Sequence, residues 1–190
     1  MASTVTILGA GSWGTALAAH LALIGHGVRL WARDRSLVDA MLARRANPVY
    51  LPDVILPERV SITADIESAL RGSHLVVSAI PSHGCRAVIR RATPYLSPQA
   101  TIVSATKGLE ADTHLRMSEV IAQEVGPSRP VVALSGPSFA IEVARQLPTA
   151  VLAASADEQA IELVQTEFRS GYFRLYGSAD VIGVEIGGAL

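Results

Sequence analysis

The sequence contains a single cysteine, Cys85, among its 190 residues. One cysteine cannot form an internal disulfide, and no histidines accompany it at the spacing of a metal-binding motif. We therefore predict no metal site, and a reducing, cytoplasmic setting is expected for the chain.

The sequence also lacks an excess of charge of either sign. The 16 basic and 17 acidic residues nearly cancel, leaving a net charge of −1 at pH 7. A chain without excess positive charge has no general attraction to nucleic acid or to an anionic membrane surface. We expect neither as a partner, and a small anionic ligand would have to be bound by local groups.

The N-terminal part lacks charge altogether, since no Asp, Glu, Lys or Arg precedes Arg29. Residues 16–24 are apolar enough to suggest a signal or membrane helix. A secretory signal needs a basic start, and a spanning helix needs about 20 apolar residues without this many glycines. We interpret the segment as a buried strand followed by a helix packed on a sheet.

Glycines at three positions, Gly9, Gly11 and Gly14, directly follow the β-branched run of residues 4–8. In the dinucleotide-binding fingerprint the first glycine makes a tight turn and the second lets the backbone approach the pyrophosphate. The third lets the helix pack closely on the strand. Apolar residues then continue at helical spacing, and the helix N-terminus would face the phosphates. This context favours nucleotide binding over a structural glycine turn.

The second predicted strand, residues 28–31, ends at the position that selects the cofactor. An acidic residue there binds the ribose 2′-hydroxyl, whereas an arginine suits a 2′-phosphate. Arg33 is nearest to this position and Asp34 comes one residue later. The sequence favours NADPH and leaves NADH open.

Beyond this strand, Ser36 is the expected N-cap of a helix over residues 37–45. The three prolines at 48, 52 and 57 predict a loop with a fixed course. Tyr50 within that loop would either stack on a ligand or pack the loop against the domain.

Further apolar runs at residues 60–63, 75–80, 101–105, 131–135, 149–154 and 172–176 alternate with helical patterns. This alternation predicts a Rossmann-type α/β fold, with a mostly parallel sheet, helices on both faces and extra strands at the end. His83 follows one such strand, where a cap or loop histidine is the simpler interpretation and an acid or base the alternative.

Two further strand ends carry candidate site residues. Lys107, a lone lysine followed by a glycine, comes after the strand at 101–105. Its ammonium would stabilise charge on a substrate oxygen, although most lysines are merely solvated. The strand at 131–135 is likewise followed by a glycine and a helix start at 136–140, where Ser138 is the expected cap and free N–H groups would face an anion.

The chain's last segment, residues 180–190, has the small and apolar residues of a helix beginning. Because globular chains seldom finish on such a segment, we expect residues 1–179 to form the nucleotide-binding domain. Residues 180–190 would then begin a helical C-terminal domain that has been left out.

In order along the chain, several segments together resemble the bacterial type of NAD(P)-dependent glycerol-3-phosphate dehydrogenase. They are Gly9-Ala10-Gly11-Ser12-Trp13-Gly14-Thr15-Ala16-Leu17, residues 47–52, Ala105-Thr106-Lys107-Gly108-Leu109-Glu110, Leu134-Ser135-Gly136-Pro137-Ser138-Phe139-Ala140 and residues 180–190. The glycine motif is common to many dehydrogenases, but the last three segments in this order are much more specific.

The resemblance implies an oxidoreductase that interconverts dihydroxyacetone phosphate and sn-glycerol 3-phosphate for glycerophospholipid synthesis. Hydride would pass between the nicotinamide and the ketone carbon. By position, the family's cofactor contacts fall on Gly9, Gly11, Ser12, Trp13, Gly14, Arg33, Tyr50, Lys107 and Ala140. Its substrate contacts fall on Lys107, Gly136 and Ser138, with Lys107 as the catalytic candidate.

The family's proton-donating lysine would come directly after Leu190, so this chain itself is expected to be inactive. A homodimer is expected of the complete protein. Two alternatives stay open: a β-hydroxyacid dehydrogenase of the phosphogluconate type, and a non-catalytic nucleotide-sensing module.

Overall fold

Strands and helices alternate along the chain in a computed structural model that describes residues 4–189. The strands are β1 Thr4–Leu8, β2 Gly27–Trp31, β3 Ala46–Asn47, β4 Leu51–Ile55, β5 Val60–Thr63, β6 Leu75–Ser78, β7 Thr101–Ser104, β8 Val131–Ser135, β9 Thr149–Ala154 and β10 Phe173–Ser178. The helices are α1 Ser12–Leu23, α2 Arg35–Arg44, α3 Ile66–Leu70, α4 Ser82–Ala92, α5 Met117–Val125, α6 Ala140–Ala144, α7 Glu158–Phe168 and α8 Val181–Ala189.

The main sheet has eight strands in the order β10-β9-β8-β7-β6-β1-β2-β5. Every neighbouring pair is parallel except β8 and β9, which are antiparallel. In register, Ile7 of β1 lies between Leu30 of β2 and Val77 of β6. The strand order therefore reverses between β1 and β6, and the predicted Rossmann-type sheet is confirmed.

Side chains of each strand alternate between two hydrophobic layers, one on each face of the sheet. Val5 and Ile7 pack with α1, α2, α6 and α7, whereas Leu8 packs with α3, α4 and α5. Period-two alternation in a sheet covered on both faces produces this pattern. Within residues 4–189, no helix is long and apolar enough to cross a bilayer.

The observed helix caps include residues other than the predicted ones. Asp65 and Asp157 cap α3 and α7 by accepting hydrogen bonds from backbone amides. The prediction for Ser36 was wrong, because Asp34 is the extended residue that precedes α2 and its carboxylate accepts from the Ser36 amide at 2.8 Å. The prediction for Ser138 was also wrong: Phe139 occupies the N-cap of α6, and no side chain caps that helix.

The proline-rich segment after α2 is more ordered than a loop. Its β3 and β4 strands form a small antiparallel hairpin, with a register shift between Ala46 and Asn47. Arg45, in the left-handed region with φ 50°, donates to the carbonyl oxygens of Val60 and Leu56. These bonds attach the hairpin to the main sheet beside β5.

Candidate dinucleotide-binding cleft

A cleft runs along the carboxyl edge of the sheet, where the strand order reverses between β1 and β6. Open α/β sheets bind ligands at this place, because the loops after neighbouring strands diverge there. The cleft has two adjoining parts, which share Gly11, Ala79, Ile80 and Pro81. We name them the β2-side cavity, of about 260 Å³, and the β7-side cavity, of about 420 Å³.

The glycine loop between β1 and α1 forms the floor of both cavities. Gly9 has φ 110°, in the region that favours glycine, and a Cβ there would collide with the Ala79 carbonyl. A Cβ on Gly14 would collide with the carbonyl oxygen of Gly9. At Gly11, by contrast, a Cβ would have no neighbour within 4 Å. Gly9 and Gly14 are therefore required by packing, whereas the space above Gly11 is open to a ligand.

The β2-side cavity is lined by the residues that follow β2 and by the loop before β4. Arg33 and Tyr50 both line it, and both side chains are exposed. Asp34 also lines it, but its carboxylate caps α2 and its pKa is lowered by hydrogen bonds from the Ser36 hydroxyl and amide. His83 lies here in the first turn of α4, so it is a helix residue and not a loop residue.

The β7-side cavity gathers side chains from three strand ends. Ser12, Trp13, Lys107, Ser138 and Ala140 all line it. Lys107 is exposed, and its ammonium donates to the Gly136 carbonyl at 3.4 Å, so the loops after β7 and β8 touch. The structure thus brings together the predicted residues from the glycine loop and from both later motifs.

The turn after β8 differs from expectation in one respect. The amide of Ser138 donates to the Gly136 carbonyl at 2.9 Å, and its hydroxyl lies 3.4 Å from the same oxygen. This amide is therefore engaged within the turn instead of facing the cavity. Gly136 itself packs tightly on β9, since a Cβ there would lie 3.1 Å from the Ala150 carbonyl oxygen.

Sequence reasoning missed the residues that hold the Lys107 loop. Glu110, three residues after Lys107, accepts two hydrogen bonds from Arg86 of α4. These bonds, together with one from the Thr113 hydroxyl, lower the pKa of Glu110 to about 2. The only sequence signal was the position of Glu110 in the Lys107-Gly108-Leu109-Glu110 motif, because Arg86 lies 24 residues away along the chain.

The fold and the cleft together define a Rossmann-type dinucleotide-binding domain. The residues present fit such a ligand, because the loop leaves space above Gly11 and the N-terminus of α1 follows it. The sequence-family model described as the NAD-dependent glycerol-3-phosphate dehydrogenase N-terminus matches residues 4–161.

Curated relatives point to the same family. Glycerol-3-phosphate dehydrogenase [NAD(P)+] of Koribacter versatilis is 48% identical over 191 residues, covering 99% of this chain and 57% of that protein. A Mycobacterium tuberculosis enzyme of the same name, numbered 2, is 46% identical over 190 residues, covering 100% of this chain and 57% of its own length. The chain belongs to the NAD(P)-dependent glycerol-3-phosphate dehydrogenase family, and it spans a little over half the length of these relatives.

Solved structures agree with this assignment. The crystal structure of glycerol-3-phosphate dehydrogenase from Coxiella burnetii has a TM-score of 0.93 and 40% identity, covering 98% of this chain and 57% of that one. A protein from Dunaliella salina has a TM-score of 0.89 at 24% identity, covering 100% of this chain and 36% of its own, and shares the fold.

Proposed function

We propose that residues 1–179 are the cofactor-binding domain of a glycerol-3-phosphate dehydrogenase and bind NADPH or NADH. The observation that carries this proposal is the open space above Gly11, between two glycines that packing requires, at the reversal of the sheet. Residues 180–190 would begin the next domain; within the described residues α8 lies directly on β8, because a Cβ on Gly188 would collide with the Ser135 hydroxyl.

For the longer protein we propose the reversible reduction of dihydroxyacetone phosphate to sn-glycerol 3-phosphate, which supplies glycerophospholipid synthesis. The bound cofactor supplies the hydride. Gly9, Gly11 and Gly14 shape the pyrophosphate site, and the other cofactor contacts are Ser12, Trp13, Arg33, Tyr50, Lys107 and Ala140. Gly136 and Ser138 are the proposed substrate contacts together with Lys107, whose ammonium donates to the Gly136 carbonyl.

Lys107 is the residue proposed to act on the substrate. Within residues 4–189, no carboxylate lies within ion-pair distance of its ammonium. An ammonium without a carboxylate partner is available to stabilise negative charge that develops on a ketone oxygen. Its position beside the Gly136 turn supports a role in binding and polarising the substrate carbonyl.

Lys107 also offers a direct test, because it is the only lysine in the chain. Reductive methylation followed by peptide mass analysis would report its accessibility with and without NADPH. We expect NADPH to protect Lys107 from methylation, relative to the same chain treated without NADPH. Equal modification of Lys107 at saturating NADPH would contradict its place beside the cofactor, and absence of NADPH and NADH binding by calorimetry would contradict the proposed function itself.

Turnover is expected to depend on chain length. The relatives are nearly twice as long as this chain, so we expect these 190 residues alone to bind cofactor and to reduce dihydroxyacetone phosphate negligibly. A chain extended to the relatives' length should oxidise NADPH with this substrate. Comparable turnover from the two chains would show that the remaining length is not required.

We also propose a cytoplasmic location and a homodimer for the longer protein. The single cysteine, Cys85, is free, and a fold without a disulfide is typical of proteins in a reducing compartment, which supports the first. Exposed apolar side chains at Phe139 and Ile182 leave surface for a further contact. Analytical ultracentrifugation of the longer chain would measure its oligomeric state.

A further inference from the structure

Asn47 is a buried amide beneath the β2-side cavity, with no exposed surface. Its Nδ2 donates to the Ala10 carbonyl and to the Thr15 hydroxyl, each at 2.8 Å. Its Oδ1 accepts from the backbone amides of Val49 and Tyr50, at 3.3 and 3.1 Å. An amide side chain has two donor hydrogens and two acceptor lone pairs, so every hydrogen-bonding position of Asn47 is occupied.

These four bonds join two walls of the cleft. Ala10 lies between the two glycines of the phosphate loop, and Thr15 is in the first turn of α1. Two other groups of the loop are bonded, the Gly9 amide to the Trp31 carbonyl and the Gly11 carbonyl to the Thr15 amide. Asn47 supplies a hydrogen bond to the Ala10 carbonyl, and its other end orients the backbone that carries Tyr50.

We propose that Asn47 is a positioning residue for the dinucleotide, which holds the phosphate loop and the Tyr50 wall at a fixed separation. This inference rests on the proposed binding of NAD(P)H in the cleft. Asn47 itself is covered by protein and acts through the backbone of Ala10 and Tyr50. Its loss should therefore weaken cofactor binding without removing any group that touches the cofactor.

The chemistry requires an amide at this position. In an Asn47→Asp variant one oxygen still accepts from the Val49 and Tyr50 amides. The other faces the Ala10 carbonyl, an acceptor, and leaves it without a donor while the acid is ionised, whereas the Thr15 hydroxyl can rotate and donate to the carboxylate. Protonation of the acid supplies one O–H donor and restores the bond to Ala10. A pH profile of cofactor affinity thus distinguishes loss of this hydrogen bond from general damage.

Other titrating groups must be separated from this effect. Ionisable side chains on the elements packed around Asn47 are His20 of α1, Arg35, Asp39 and Arg44 of α2, Arg45 and Tyr50 of its own segment, and Asp53 of β4. The one histidine among them, His20, has its pKa lowered to about 4 by burial. His83 lines the cleft, so the parent protein measured at each pH provides the reference.

The experiment measures the dissociation constant for NADH by fluorescence titration of the 190-residue chain between pH 5.5 and 8. NADH is chosen because it lacks a titrating 2′-phosphate. We expect Asn47→Asp to bind about tenfold or more weakly than the parent at pH 8, since it leaves a buried acceptor unpaired. The ratio of variant to parent constants should fall towards one as the pH decreases.

Thr6→Val is the matched control. Thr6 is equally buried and bonds to Ser73 and to the Ala69 carbonyl, on the α3 face of the sheet and not on the face covered by α1. The Thr6→Val variant should be less stable than the parent and should keep the parent's affinity for NADH. Should Asn47→Asp fail to fold, Thr15→Val removes one of the two acceptors of Asn47 and should weaken NADH binding about twofold to fivefold.

Three results would overturn the inference. One is parent-like affinity in the Asn47→Asp variant, and another is a loss of affinity that is the same at every pH. The third, if Asn47→Asp fails to fold, is unchanged affinity in Thr15→Val. If the parent itself does not bind NADH, the proposed function has failed and not the role of Asn47.

Discussion

Arg86 donates two parallel hydrogen bonds to Glu110, from Nε to Oε1 and from Nη2 to Oε2, both at 2.7 Å. The same guanidinium donates from Nη1 to Glu124 of α5 at 2.8 Å. A two-point contact fixes orientation as well as distance, because the planar guanidinium matches the planar carboxylate. The loop that carries Lys107 is thereby attached to α4 and α5 together.

Glu110→Gln should loosen this loop. The neutral amide keeps the shape of the side chain and loses the charge that pairs with Arg86. We expect the melting temperature at pH 7 to fall by a few degrees, and amide hydrogen exchange in residues 107–110 to quicken. The pKa of Glu110 is lowered from 4.5 to about 2, so the pair stabilises the fold above pH 4.5 and this contribution is lost as the pH falls through 2.

Glu67→Gln provides the comparison for that variant. Glu67 pairs with Arg71 on the exposed side of α3, at 3.3 Å. Exposed pairs of this kind contribute little, so its melting curve should overlay that of the parent. If Glu110→Gln overlays the parent as well at pH 7, the pair does not hold the loop.

Substitutions at Gly11 and Gly14 should distinguish an effect on cofactor binding from an effect on packing. Gly11→Ala places its methyl group in open space and Gly11 already has φ −72°, so the free energy of unfolding should fall only by the cost of alanine at the N-cap of α1, about 1 kcal/mol or less. The same methyl group occupies the space proposed for the pyrophosphate. We expect NADH affinity to fall about tenfold or more, measured by titration calorimetry.

Gly14→Ala should show the converse. Its methyl group collides with the Gly9 carbonyl and lies 3.2 Å from Cβ of Ala79. Overpacking against backbone should destabilise the fold by about 2 kcal/mol or more, measured by urea unfolding. Normal affinity in Gly11→Ala would show that the cofactor does not approach the loop at this residue.

The buried His20, which does not line the cleft, should make the stability of the fold depend on pH. It is fully buried, and its Nε2–H donates to the Phe168 carbonyl while Nδ1 accepts from the Tyr172 hydroxyl, both at 2.7 Å. Burial lowers its pKa from 6.5 to about 4, against the opposing effect of the Phe168 hydrogen bond. Between these pH values the unfolded chain binds a proton that the folded chain does not.

The free energy of unfolding should therefore fall as the pH decreases from about 6.5 to 4, by at most about 3 kcal/mol. His20→Gln preserves a donor for Phe168 and an acceptor for Tyr172 but does not titrate, so its urea midpoints should depend less on pH over this range. The exposed His114 supplies the control: His114→Asn should keep the parent's slope. Equal slopes for all three proteins would assign the pH dependence to other groups.

Local patterns were enough to predict most of the fold. β1 and the helix after it follow from an apolar run, glycines and helical spacing, which involve neighbouring residues. The antiparallel pairing of β8 with β9 could not be predicted, because both strands are apolar and the choice is made by packing. At α2 the predicted cap was Ser36 and the observed cap is Asp34, since either side chain suits a helix N-terminus and only the backbone angles decide between them.

The candidate cleft was predictable where its residues follow strands directly. Lys107 and Ser138 meet because parallel strands end at one edge of a sheet. Asn47 and Arg86 were missed, because their partners lie 37 and 24 residues away and no local pattern marks such contacts. The two-residue strand β3 is likewise too short to show any alternation.

Arg33 provides the sharpest test of cofactor preference. It lines the β2-side cavity at the end of β2, whereas Arg35, two residues later, is exposed on α2 and does not line that cavity. A guanidinium stabilises a 2′-phosphate by charge-assisted hydrogen bonds, and a carboxylate repels it and suits a free ribose hydroxyl. Arg33→Asp should therefore raise the ratio of NADPH to NADH dissociation constants by about tenfold or more.

Arg35→Asp makes the same change of charge outside the cavity and acts as the control. Long-range electrostatics alone would raise the ratio of NADPH to NADH dissociation constants equally in both variants. This equal increase should become smaller in 0.5 M salt, where exposed charges are screened. A direct contact at the 2′-phosphate predicts a selective shift in Arg33→Asp that persists at that salt concentration. Equal shifts in the two variants would show that net charge, and not the position of Arg33 at the end of β2, sets the preference for NADPH.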